Sequence, residues 1–121
     1  MRISGSDDFR ILYADSEPVI ANSDQVNDVI GSAWGESISL IALPVARLDP
    51  EFFRLRSGLA GDVLQKFVNY RLQLAIIGDI SEHLAASEAL GDFVWESNRG
   101  DHVWFLADEE ELVAKLASRN L

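Results

Sequence analysis

The chain has 121 residues, 48% of them hydrophobic, and 20 acidic side chains against 10 basic ones give it a net charge of −10. The lack of cysteine excludes disulfides and thiolate chemistry, and the acidic excess opposes both the phosphate backbone of nucleic acid and anionic membranes. No apolar run is long enough for a membrane helix, and MRISGSDDF has no apolar signal-peptide segment, so the expectation is one cytoplasmic domain over residues 1–121, with 1–8 flexible.

In chain order, Phe9–Ala14 reads as a first strand and Glu17–Ala21 as a short second one, with Pro18 suited to an edge. Asp15-Ser16 would then close an antiparallel hairpin. Ser23 or Asn22 can cap the next helix, whose Val26, Val29, Ile30, Ala33 and Trp34 follow the spacing of one helical face. Gly35 ends it. Ser37–Val45 is a strand, buried over Leu40–Leu43. The stretch Leu48–Gly78 follows. Asp49 caps a turn led by Pro50, whose missing N–H is not needed at the first position.

Ser57 stands before a helix with Leu59, Val63, Leu64, Phe67 and Val68 on one face. Gly61 lies near that face, which predicts a close approach to a neighbouring element. Leu72–Gly78 is a nearly continuous apolar run, the mark of a strand buried on both sides. A loop over Asp79–Ser87 leads to a helix with Ala86, Leu90, Phe93 and Val94 inward, closed by Asn98 or Gly100 in a left-handed conformation. His102–Ala107 is a strand. Asp108 caps the last helix, which has Leu112, Val113, Leu116 and Ala117 inward and Glu109, Glu110 and Glu111 in its first turn. The order β-β-α-β-α-β-α-β-α predicts an α/β domain: a mixed, mostly parallel sheet flanked by helices and joined by right-handed crossovers.

Two groups of residues are candidate sites. Arg56, Ser57, Gly58 and Gly61 lie at a helix start, where free N–H groups and the positive dipole end can hold phosphate; an ordinary N-cap is the simpler use of Ser57. Asp49, Glu51, Asp79 and Ser81 follow two strands at their carboxyl ends, where ligands collect in open α/β sheets. Their carboxylates suit acid–base work or Mg²⁺, although a cap, a first-turn anion and a turn residue explain each singly. Glu96, Ser97 and Asn98 close a helix and suit a bracing role at the opposite end of the sheet. His83 and His102 are too isolated to suggest a metal site or a triad. No Gly-Lys-Ser/Thr, GxGxxG or Gly-x-Ser-x-Gly occurs. Trp34 fits a core stripe, and either Trp95 or Trp104 is a candidate for an exposed contact.

PEFF (Pro50–Phe53), GLAGDVLQKF (Gly58–Phe67), Tyr70, LAIIGDIS (Leu74–Ser81) and ESNRG (Glu96–Gly100) resemble, in order and spacing, the domain of unknown function 4180 family of small bacterial proteins. That resemblance implies no activity. More distantly, the element order is similar to the sulfate transporter and anti-sigma factor antagonist (STAS) domain. Antagonists of that family carry a phosphorylatable serine in a Ser-Gly pair, and Ser57-Gly58 stands in a similar place. Here the pair follows Leu55-Arg56 rather than Asp-Ser, and Asp49–Arg56 lengthens the approach.

No complete catalytic constellation is present, and the expectation is a regulatory or protein-interaction domain without catalytic residues, metal or cofactor. It would have a protein partner, no nucleic acid or membrane, and nothing against a homo-oligomer. The alternative is a small-molecule or phosphate-binding protein, or an enzyme, with its site at the carboxyl ends of the strands.

Overall fold

The two continuous apolar runs lie side by side at the centre of a five-stranded sheet in a computed structural model that describes residues 2–6 and 8–119. The strands are β1 (Arg2–Ser6), β2 (Phe9–Tyr13), β3 (Leu40–Pro44), β4 (Gln73–Ile77) and β5 (Val103–Leu106), and they stand in chain order. β1 is antiparallel to β2, and every later neighbour is parallel. Ile41 pairs with Leu74 and Leu43 with Ile76, so both runs are central and buried.

The helices are α1 (Val26–Ala33), α2 (Leu59–Asn69), α3 (Ser81–Ala86), α4 (Glu88–Arg99) and α5 (Glu109–Arg119). Strand residues alternate between two cores. Leu12, Ile41, Leu43, Leu74, Ile76, Val103 and Phe105 pack with residues of α1, α2 and α4. Ile11, Leu40, Ala42, Ala75 and Trp104 face the other way and meet Leu112 and Leu116 of α5.

The edge hairpin is made by different residues from those expected. Arg2–Ser6 pairs with Phe9–Tyr13, and residues 2–6 are therefore a strand rather than a loose start; Met1 and Asp7 lie outside the described residues. At Gly5, φ is +107° and a Cβ would come within 2.2 Å of the Phe9 carbonyl oxygen, so only glycine fits this close approach. Glu17–Ala21 does not turn back on β2. Ile20 forms a single parallel bridge with Leu48, donating its N–H to the Arg47 carbonyl at 2.7 Å, while Asp49 N–H returns to the Ile20 carbonyl at 3.0 Å.

Asn22 caps the turn leading into α1, and Gln25 reciprocates at its N–H. Val26, Val29, Ile30 and Ala33 are buried as their spacing requires. Trp34 is not: the helix ends one residue earlier, Trp34 is extended (φ −67°, ψ 127°), and its side chain is 76% exposed. In α2, Leu59, Val63 and Phe67 are buried and Val68 is exposed. Gly61 faces open space, with nothing within 4 Å of an added Cβ, so it permits no close packing. α2 closes on Arg71 at φ +57°, with Arg71 N–H on the Val68 carbonyl and Leu72 N–H on that of Phe67.

The expected loop after β4 contains α3. Asp79 accepts the Ser81 N–H at its start, and Ser87 caps α4 by accepting the Leu90 N–H. Ala86 thus belongs to α3 and is exposed. α4 ends at Gly100 in an extended rather than left-handed conformation. Asp108 accepts the Glu111 N–H at the start of α5, which buries Leu112 but leaves Val113 and Ala117 exposed.

Gly78 and Gly61 should respond oppositely to alanine. At Gly78, φ is +144° and a Cβ would sit 2.9 Å from Val45 Cγ2, so Gly78→Ala should destabilise by about 1–3 kcal/mol. Gly61→Ala should stabilise by up to about 1 kcal/mol, because it adds helix propensity without a clash. Denaturant titration of both variants measures the two signs.

Candidate functional site

The chain between β3 and α2 is pinned at each step by its own polar groups. Asp49 accepts the Glu51 N–H at 2.9 Å, with Pro50 next to it, and this starts a 3₁₀ turn over Pro50–Phe53. The turn drives Phe52 and Phe53 into the core with their rings edge to face at 5.1 Å. Ser57 then ties the turn to the helix. Its hydroxyl donates to the Glu51 carbonyl at 2.7 Å and accepts the Leu59 N–H at 3.2 Å. The helix-start residue between them is Gly58, at φ +80°.

α3 packs alongside. His83 stacks on Phe53 at 4.2 Å with the rings 12° from parallel. A groove of about 550 Å³ opens between the two segments. Phe53, Leu55, Ala86 and Ala89 give it apolar walls, and Arg54, Arg56, His83 and Ser87 give it polar ones. Arg54 pairs with Glu51 at 2.7 Å. Arg56 is exposed and, among the described residues, has no ion pair, hydrogen bond or ring contact. Both segments follow the carboxyl ends of strands, β3 and β4.

Of the first candidate group, Arg56 lines the groove. Ser57 and Gly58 sit beside it as parts of the connection to α2, and Gly61 points to solvent. In the second group, Asp49 and Glu51 lie on the turn, Asp79 and Ser81 at the start of α3, and no hydrogen bond or ion pair joins the two pairs. Among the described residues no three His, Cys, Asp or Glu side chains are grouped to hold a metal ion.

The Ser81 N–H, and secondarily its hydroxyl, hold the Asp79 carboxyl below the ordinary aspartate range. Asp49 and Asp79 thus perform the same local task, each accepting the N–H two residues ahead.

Asn98 is the working member of the Glu96–Asn98 cluster. Its amide accepts the Phe105 N–H at 2.7 Å and donates to the Phe105 carbonyl at 3.2 Å. It thereby satisfies the outer edge of β5 as a neighbouring strand would. Of Trp95 and Trp104, Trp95 is the exposed one, at 60%, under the Arg99 guanidinium. Trp104 is buried and donates its Nε1–H to the Gly100 carbonyl.

Three residues were given no place in a site by the sequence alone. Phe53 and His83 become neighbours only through the fold. Arg47 is a lone cation between Val45 and Leu48, and it is 7% exposed. Its signal in the sequence is that isolation within an apolar stretch.

Asn98→Ala should leave the Phe105 backbone groups unpartnered and cost about 1–3 kcal/mol, with Asn98→Asp in between because it keeps an acceptor; chemical denaturation ranks the variants. For Asp79, a lowered folded pKa means stabilisation that is complete above the unfolded value and lost as pH falls through the folded one. Protection of the Ser81 amide from hydrogen exchange, corrected for intrinsic rates, should therefore fall in acid. Asp79→Asn keeps an acceptor without a titrating charge and should remove that pH dependence.

No curated protein and no solved structure matches the chain. Among the described residues no helix is long and apolar enough to cross a membrane. A family model does match, over residues 7–116, and with nearly the whole chain covered the protein belongs to the family described as Domain of unknown function (DUF4180).

Proposed function

We propose that this is a non-catalytic regulatory domain of the cytoplasm, which binds an acidic segment of a partner protein in the groove between Pro50–Arg56 and His83–Ala89. The observation that carries this reading is Arg56. It is a guanidinium with no partner among the described residues, on the wall of an apolar groove, in a chain with a net charge of −10. A carboxylate-bearing segment would find there the fork geometry that suits arginine, and apolar side chains between its charges would meet Phe53, Leu55, Ala86 and Ala89. Arg54 would join, since its exposed pairing with Glu51 is weak enough to be exchanged.

The similarity of element order to the STAS domain supports an interaction role as analogy only. In this reading Ser57 positions Arg56, because both sides of its hydroxyl are engaged in holding the connection to α2.

The test is fluorescence anisotropy with a labelled peptide of alternating Glu and Leu, with inorganic phosphate as competitor. Arg54→Glu/Arg56→Glu should weaken binding at least about tenfold, and added salt should weaken it in the native protein. Arg71→Glu, at an exposed arginine outside the groove, should change nothing. Equal affinity of the double variant and the native protein would refute the reading, and full displacement of the peptide by millimolar phosphate would replace it with a small-anion site.

A further inference from the structure

We propose that a second, separate pocket, built on Arg47, binds a small amino-acid-like zwitterion. The pocket measures about 200 Å³ and lies between the end of β2, the segment that follows it and α1. Leu12, Ala14, Pro18 and Val29 line it with Arg47, Asp15, Glu17, Asp28 and Ser32. Arg47 is the buried charged residue among those described, at 7% exposure. Its main chain is committed, since its carbonyl accepts the Ile20 N–H.

Its side chain is committed on one nitrogen only. Nη1 donates to the Asp15 carbonyl at 2.9 Å. Nε is buried with no acceptor, and Nη2 has no hydrogen bond and is not among the enclosed, unpartnered atoms. Nε is enclosed by the protein, so a ligand carboxylate would meet the guanidinium at Nη2, through a charge-assisted hydrogen bond. A buried guanidinium with an unpartnered Nε is costly, and a carboxylate at Nη2 would offset part of that cost.

The rest of the lining selects the ligand further. Glu17 and Asp28 are exposed carboxylates that form no ion pair among the described residues. A simple anion would meet Arg47 but be repelled by them. A simple cation would meet them but leave Nη2 without an acceptor. A molecule with a carboxylate at one end and an ammonium group at the other satisfies both. The volume admits an amino carboxylate of a few carbons and is too small for a nucleotide.

The experiment is a ¹⁵N-NMR titration at constant ionic strength with glycine, β-alanine and γ-aminobutyrate, against acetate and methylammonium as single-charge controls. At least one amino carboxylate should give saturable shifts at Ala14, Asp15, Ser32 and Arg47, with neither control doing so over the same range. Arg47→Lys risks the fold, because Arg47 holds the Asp15 segment. The exposed variants Asp28→Asn and Glu17→Gln therefore carry the test, and at least one should weaken binding about tenfold or more. No saturation by any amino carboxylate, saturation by acetate alike, or unchanged affinity in both variants would overturn the proposal.

Discussion

Three crossovers run in one direction across this sheet, and most of the architecture follows from that. Strand order equals chain order, so each crossover helix lands on the same face. α1, α2 and α4 accordingly share one core, and the opposite face, with Leu40, Ala42, Ala75 and Trp104, is left to α5. A single helix covering a sheet face needs anchoring at both ends. The Arg2–Glu109 pair at 2.6 Å ties its start to the edge hairpin. Near its end, Lys115 donates to the Asn98 carbonyl and lies over the Trp104 ring, and Arg119 donates to the Gly100 carbonyl and pairs with Asp101.

The same constraint explains what the sequence disclosed and what it hid. Leu40–Leu43 and Leu74–Ile77 are central strands covered on both faces, so they are continuously apolar and easily read. β1 is an edge strand with one apolar residue, Ile3, and a glycine in its middle, so nothing in RISGS marks a strand. Glu17–Ala21 had the better pattern, yet Ile20 serves as a single anchor against Leu48. Helix phase failed where backbone geometry changed within one residue. Trp34 continues the α1 stripe in sequence, but the chain is already extended there.

Site residues were legible where their chemistry is local. Asp49, Asp79, Asn22 and Asp108 each accept an N–H two or three residues ahead, and their residue types announce it. The Phe53–His83 stack joins segments thirty residues apart, and no spacing rule reaches that far. Arg47 was hidden for a different reason. Its value lies in burial, which depends on the Ile20–Leu48 bridge holding residues 15–20 against it.

Charge pairing brings these observations together. Most cations are used internally: Arg2, Arg10, Arg54, Arg99 and Arg119 face carboxylates, Lys66 and Lys115 reach Asn27 and the Asn98 carbonyl, and Arg47 holds Asp15. Among the described residues Arg56 and Arg71 are left over. Arg71 sits at the close of α2, where its left-handed backbone completes the helix, and its side chain is not among those lining the hollow that Tyr70 and Leu72 border. Arg56 has that surface. Next to it, the Arg54–Glu51 pair is exposed and spans three residues, an arrangement that contributes little to stability and exchanges readily. An acidic visitor would therefore displace a weak contact and gain two guanidinium groups over an apolar wall. That difference, more than the count of arginines, separates this groove from the rest of an acidic surface.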